Sequence, residues 1–330
     1  MKSPWEGSPL QDGVVVRIDR KQIHVNVGGR LLPCTVRGRF FEDQDDDPES
    51  RPVAVGDRVR VEVEGDGDHG AIEEVLPRTS RIARPRPRDP TRFQVIAANV
   101  DLLVIVVSMA QPRPKPGLID RLLVAAESEH IDPLVILNKA DLVEPAAIEE
   151  LAGRYRALGY SVVATSVVDG RGLDDVRQAM RGRTAMMLGH SGVGKSSLLT
   201  ALDPTIAARI GALVNEGTRS VRGAHTTTSA SLHDLDLGNG TRAFLVDTPG
   251  VREFGLEGLV PTDLGHFFRE FVPHLGRCRF ATCTHDHEPG CGVKTALEGG
   301  AIRQERYDTY RKLLAELSGE GERMQRHDSY

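Results

Sequence analysis

Eight consecutive residues, Gly189-His190-Ser191-Gly192-Val193-Gly194-Lys195-Ser196, match the pattern G-x-x-x-x-G-K-[ST], and Ser197 follows them. Glycines at these positions let backbone N–H groups turn inward around phosphate oxygens, and a helix beginning there adds its partial positive charge. In such a loop Lys195 reaches the β- and γ-phosphates and the Ser196 hydroxyl ligates Mg²⁺. The flanks supply the context the motif needs: the apolar stretch 184–188 reads as a strand and 197–202 as the start of a helix. The plain alternative is a glycine-rich turn without function. At ordinary residue frequencies a chance match occurs in about one chain per hundred, and the flanking pattern makes it rarer.

A second motif, Asn138-Lys139-Ala140-Asp141, closes the apolar run 134–137. A carboxylate at Asp141 accepts both the ring N–H and the exocyclic amine of guanine. Adenine offers neither in that geometry, so a carboxylate buried without a partner penalises the wrong base. Asn138 would hold the loop and Lys139 lie along the base plane. Ala164-Thr165-Ser166 follows another apolar stretch, 160–163, and has the small residues of a loop whose backbone N–H meets guanine O6. Four residues alone are weak evidence; at the end of a strand in a phosphate-loop protein they are strong.

The third motif is Asp247-Thr-Pro-Gly250, again at the end of an apolar run. Asp247 suits a water-mediated hold on a magnesium shell and the Gly250 N–H a contact to the γ-phosphate. Between this motif and the phosphate loop lies Gly223-Ala-His-Thr-Thr-Thr228, from which Thr227 can close over Mg²⁺. Val251 follows Gly250, where Ras-like proteins carry a glutamine that orients the attacking water. A valine cannot do so, which predicts slow intrinsic hydrolysis. His225 is the nearest substitute, against the plain reading of an exposed loop histidine.

The motif order is unusual: base reader, phosphate loop, then D-x-x-G. Joining nearby termini and reopening the chain elsewhere preserves the packing, so the loops still meet in one site. The permuted order makes the segment after Gly250 run directly into the C-terminal region, where a change at the γ-phosphate could be transmitted.

Cys278, Cys283 and Cys291 lie within 14 residues of one another, with His285 and His287 among them. Three thiolates and one imidazole form a tetrahedral structural zinc set. A disulfide reading would leave one cysteine over and conflict with a reducing compartment. Cys34, alone in a candidate strand, reads as a small buried hydrophobe.

The elements that must position these residues follow from periodicity. Residues 14–18, 23–27, 31–37, 58–63 and 71–75 alternate as half-buried strands. Five short strands suit a small OB-like β-barrel, although an SH3-like barrel would read much the same. Residues 77–92, with four prolines and no period, read as a linker. Apolar runs at 102–107 and 134–137, alternating with helical stretches at 117–128 and 146–158, predict a doubly wound α/β domain with parallel strands. A helix is expected near 301–318. The expected division is residues 1–77 for the barrel, 78–94 for an Arg/Pro-rich linker, 95–255 for the nucleotide domain and 256–330 for a helical zinc-binding domain.

The 330 residues carry a net charge of −5, with 39% hydrophobic and 27% charged residues. The average hides contrast: six acids fall in 42–49 and six arginines in 78–92. Both runs read as solvated loops, or the second as an RNA-facing surface. No apolar run reaches the roughly 20 residues of a membrane span, and the start lacks the pattern of a secretory signal. The expectation is a cytoplasmic monomer with no membrane partner.

Asn138-Lys-Ala-Asp141, the 189–197 segment, Arg222-Gly-Ala-His-Thr-Thr-Thr228, Asp247-Thr-Pro-Gly-Val-Arg-Glu-Phe254 and the Cys/His cluster together resemble the RsgA-type (YjeQ/EngC) circularly permuted GTPases that depend on the small ribosomal subunit. The resemblance spans nearly the whole chain. It implies GTP hydrolysis to GDP and phosphate late in small-subunit maturation, stimulated by that subunit. It also implies rRNA contacts through the barrel and zinc domains, one Zn²⁺ per chain, and a role for His225 in hydrolysis. The family spacing favours His285 over His287 as the imidazole ligand. The family usually places arginine directly before His-Thr-Thr-Thr, whereas here Ala224 intervenes. Two rivals are a binding module in which nucleotide only sets RNA affinity, and a P-loop ATPase or kinase, against which Asp141 argues.

Overall fold

The computed structural model describes residues 10–19, 22–37, 53–64, 67–86, 89–206, 230–247, 256 and 258–319. Its first five strands are β1 (Gln11–Ile18), β2 (Ile23–Val27), β3 (Arg30–Val36), β4 (Arg58–Glu64) and β5 (His69–Val75). β1 pairs antiparallel with both β2 and β4, and β3 pairs parallel with β5, so the sheet closes in the order 1-2-3-5-4-1. This closed five-stranded barrel with its parallel pair has OB-fold connectivity. Val15, Val25, Leu32, Cys34, Val59, Val61 and Ile72 fill the interior. Strands cross closely at Gly70, where an added Cβ would lie 2.6 Å from Val61 Cγ1.

The stretch expected to be an unstructured linker is instead an antiparallel pair, β6 (Arg81–Arg86) and β7 (Asp89–Ala98). Proline is tolerated in a two-stranded ribbon because each strand has a free edge where no N–H is needed. The expectation that the arginine run is wholly solvated or RNA-facing also changes. The Arg78 guanidinium donates to both carboxylate oxygens of the buried Asp57, at 2.7 and 2.8 Å, and Arg81 pairs with Glu129. Asn99 adds a second link, donating to the Gly56 carbonyl at 2.9 Å. These two arginines therefore fasten the ribbon to its neighbours.

The α/β part holds five parallel strands in the order β10-β9-β8-β11-β13. They are β8 (Leu102–Ser108), β9 (Asp132–Asn138), β10 (Ser161–Thr165), β11 (Thr184–Leu188) and β13 (Arg242–Asp247). All seven β8 residues are buried, as a strand covered on both faces requires. Helices α1 (Pro116–Ser128), α2 (Pro145–Arg156), α3 (Leu173–Met180) and α4 (Lys195–Leu202) connect or follow them. β12 (Ser231–Asp236) runs antiparallel to β13 and touches β1 at Arg17 and Ser231, so barrel and nucleotide domain share one continuous sheet.

The C-terminal part contains a 3-10 turn (Leu264–Phe267), a short helix α5 (Val272–Leu275), α6 (Gly292–Glu298) and α7 (Gln304–Leu317). Phe268, Phe271 and Tyr310 form its centre, with ring centroids 4.9–5.3 Å apart. This cluster is continuous with the core beneath α1. Arg306 of α7, only 6% exposed, pairs with Asp120 of α1 at 2.8 Å and with Glu270 at 2.6 Å. Tyr155 of α2 donates to the same Asp120 at 3.0 Å. The C-terminal part is thus fastened to the nucleotide domain by a buried charge network. No helix among the described residues is long and apolar enough to cross a membrane.

Candidate nucleotide site and metal cluster

Among the described residues, the loops that begin at Asn138, Thr165, Gly189 and Asp247 each lie at the C-terminal end of a parallel strand. From β8 the chain steps outward through β9 to β10, then returns to β11 on the other side of β8. In open α/β sheets this reversal opens a crevice at the strand ends, where ligands bind. The 189–196 loop springs from β11 at that point. Gly189 has φ +153 and lies against β8, where an added Cβ would fall 2.2 Å from the Val106 carbonyl oxygen. Gly192 and Gly194 have φ +82 and +98. The sequence needs glycine here because L side chains rarely adopt these conformations.

Lys195 opens α4, and its Nζ donates to the carbonyls of Gly189 at 2.6 Å and His190 at 3.1 Å. The ammonium is thus held over its own loop, and burial lowers its pKa. A phosphate oxygen there would restore the lost solvation. Ser191, Ser196 and Ser197 are exposed on the loop and first helical turn, while Val193 is buried beneath it.

The base-reading loop is joined to the phosphate loop directly. Asn138, 2% exposed, donates through Nδ2 to the Val193 carbonyl at 2.9 Å. Its Oδ1 accepts the Thr165 hydroxyl at 3.0 Å. One side chain therefore holds three loops, those after β9, β10 and β11. Lys139 has φ +60, and its Nζ donates to the Gly192 carbonyl at 2.8 Å and to the Gln111 carbonyl. Asp141 is exposed in the following 3-10 turn (Ala140–Leu142). Its desolvation, on which base discrimination rests, must therefore come from the base itself. Ser166 is buried, and its hydroxyl accepts the N–H groups of Val168 at 3.2 Å and Asp169 at 3.3 Å, fixing the turn.

Asp247 ends β13, and burial raises its pKa, opposed by the nearby His233. A half-buried carboxylate of this kind fits a magnesium shell, because a cation compensates the cost of its charge. Thr227, His225 and Gly250 lie outside the described residues. Sequence reasoning missed the role of Gln111: nothing in a lone glutamine reports that its backbone carbonyl braces Lys139.

In the C-terminal part the side chains of Cys278, Cys283, His285 and Cys291 converge, their donor atoms all within 4.8 Å of one another. Cys278 Sγ and Cys291 Sγ lie 3.5 and 3.4 Å from His285 Nδ1, and 4.0 Å from each other. Ideal zinc bond lengths place tetrahedral S···N and S···S edges at about 3.5 and 3.8 Å. The donor set and spacing therefore fit zinc. His287 is exposed and outside the cluster. Tyr307 and Tyr310 of α7 donate to the carbonyls of His285 at 2.7 Å and Thr284 at 2.6 Å, which orients the ligand loop.

A family model described as RsgA GTPase matches residues 75–257. A small ribosomal subunit biogenesis GTPase RsgA from Sodalis glossinidius is 39% identical over 327 residues, covering 95% of this chain and 89% of that protein. One from Gemmatimonas aurantiaca is 39% identical over 294 residues, covering 88% and 92%. Among solved structures, YjeQ from Thermotoga maritima superposes with a TM-score of 0.72 at 31% identity, covering 94% of this chain and 99% of its own. YloQ, described as a circularly permuted GTPase, gives 0.69 at 28% identity, covering 96% and 98%.

Proposed function

The chain belongs to the RsgA GTPase family, and on that premise we propose that it hydrolyses GTP as a timing step in small-ribosomal-subunit biogenesis. The observation that carries the reading is Asn138, which ties the base-reading loop to the phosphate loop and to Thr165. A guanine-selective pocket and a phosphate cradle are then a single rigid unit, assembled before nucleotide arrives.

Within it Asp141 selects guanine, Lys139 lies along the base and the 189–194 loop cradles the phosphates. Lys195 neutralises β- and γ-phosphate charge from a position already fixed by two carbonyls. Ser196, Thr227 and Asp247 would hold Mg²⁺, which supplies charge neutralisation at the transferring phosphoryl group. Gly250 would contact the γ-phosphate. Val251 offers no group to orient water, so His225 or the ribosomal particle takes that role, and unassisted turnover is slow. Zn²⁺, held by Cys278, Cys283, His285 and Cys291, would stabilise the C-terminal fold. The barrel and the zinc-bearing region would contact rRNA, with the protein acting as a cytoplasmic monomer.

The buried Arg306–Asp120 pair argues for a particular form of coupling. The C-terminal part is fastened to α1, so γ-phosphate state would be transmitted through the segment after Gly250 without swinging the whole domain. Co-sedimentation with small subunits tests the switch. Retention in a non-hydrolysable GTP analogue and release in GDP support it; equal retention in both removes it.

A further inference from the structure

We propose that the loop between Cys278 and Cys283, with Arg277 directly before it, is an RNA contact in which Phe280 stacks on an unpaired base while Arg277 and Arg279 hold the adjoining phosphates. The inference rests on the reading that the zinc-bearing region meets rRNA, and it names the contact. Phe280 is 44% exposed, unlike the buried Phe268 and Phe271 of the same region. The Arg279 guanidinium lies 5.6 Å from the Phe280 ring centroid, so cation and aromatic face share one surface. Arg277 and Arg279 are exposed, and neither forms an ion pair among the described residues.

The two acids between Cys278 and Cys291 are already engaged. Asp286 accepts from Arg311 at 2.7 Å. Glu288 accepts the Thr284 N–H and hydroxyl at 2.7 Å and the Asp286 N–H at 3.2 Å. Among the described residues the loop thus presents unpaired positive charge, on a protein whose net charge is −5. It is also stiff. A cysteine of the metal cluster closes each end, and the Arg279 N–H donates to the Gly290 carbonyl at 3.0 Å. A preorganised platform loses little entropy on binding. Unpaired RNA fits it best, because only splayed bases offer a face to an aromatic ring or a guanidinium plane.

The test uses the full chain, a 12-nucleotide single-stranded RNA and its matched duplex, with affinity measured across a salt series. Phe280→Ala should weaken single-strand binding about 5- to 100-fold with an unchanged salt slope, and leave the duplex nearly unaffected. Arg277→Ala and Arg279→Ala should each reduce the salt slope by about 0.7. Phe280→Trp should retain affinity, and the emission it adds should be quenched by the single strand and not by the duplex. Zinc content and subunit-free GTP turnover report that the variants are folded. Unchanged single-strand affinity in zinc-loaded Phe280→Ala, or Phe280→Trp emission indifferent to the single strand, overturns the proposal. Because free RNA is the probe, failure of small-subunit stimulation is a separate result.

Discussion

The Asn138 Nδ2 donates to the Val193 carbonyl at 2.9 Å across 55 residues of chain, joining the two halves of a permuted nucleotide site. In a chain with these motifs in the common order, the same bond would run the other way along the sequence. Packing, and not order, defines the site.

Asn138→Ala should therefore damage more than base recognition. It leaves the buried Thr165 hydroxyl and the Val193 carbonyl without their partner, at about 1–3 kcal/mol for each unsatisfied group. GTP affinity should fall at least about tenfold and the unfolding midpoint should drop. Gly194→Ala attacks the contact from the other side, since its Cβ would lie 2.4 Å from Asn138 Nδ2 at φ +98. Calorimetric titration with GTP and denaturant unfolding check both variants. Parent-like values would show that the bond is incidental.

Asp141→Asn should exchange base preference. An amide donates to the O2 that replaces the exocyclic amine in xanthosine triphosphate, so GTP weakens and XTP improves. Competition binding with the two nucleotides measures the ratio, and an unchanged ratio removes Asp141 from the base site.

Much of this was legible because it depends on local chemistry. Alternation over 14–75 gives the barrel strands, and the apolar runs ending in Asn138, Leu188 and Asp247 give the strand ends that carry the motifs. The ribbon of β6 and β7 was not legible, because a two-stranded edge tolerates the prolines that normally signal a loop. β12 was missed for a related reason: Ser231–Asp236 holds His233, Asp234 and Asp236, and only its pairing with β13 and β1 makes it a strand. Asp120 did leave a trace, as a carboxylate between Ile119 and Leu122 on an apolar helix face. Its partners Arg306 and Glu270 are distant in sequence, and no spacing rule connects them.

Removing that arginine tests the buried network. Arg306→Met leaves Asp120 and Glu270 buried without their cation, and breaking such a group typically costs about 3–5 kcal/mol. Chemical unfolding should show the loss, together with looser attachment of the C-terminal part in hydrogen exchange at α1 and α7. A variant as stable as the parent would show that the network is dispensable to the fold.

Metal analysis of anaerobically purified protein should give one zinc per chain. Burial pushes the Cys283 thiol up to about 12, so without a cation this thiol holds its proton. Loading must displace thiol protons, and acid must favour the reverse, so zinc affinity should fall as pH is lowered. Chelation should unfold the region around α6 and α7. Metal-free protein with an intact C-terminal fold would contradict the zinc assignment.

The most direct test is GTP turnover measured with purified small ribosomal subunits, with large subunits and with neither. Val251 leaves the isolated site without a water-orienting glutamine, so the protein alone should be slow. Small subunits should raise the rate strongly, and large subunits should leave it near the basal value. Equal turnover in all three conditions would contradict the claim that hydrolysis times a step on the small subunit.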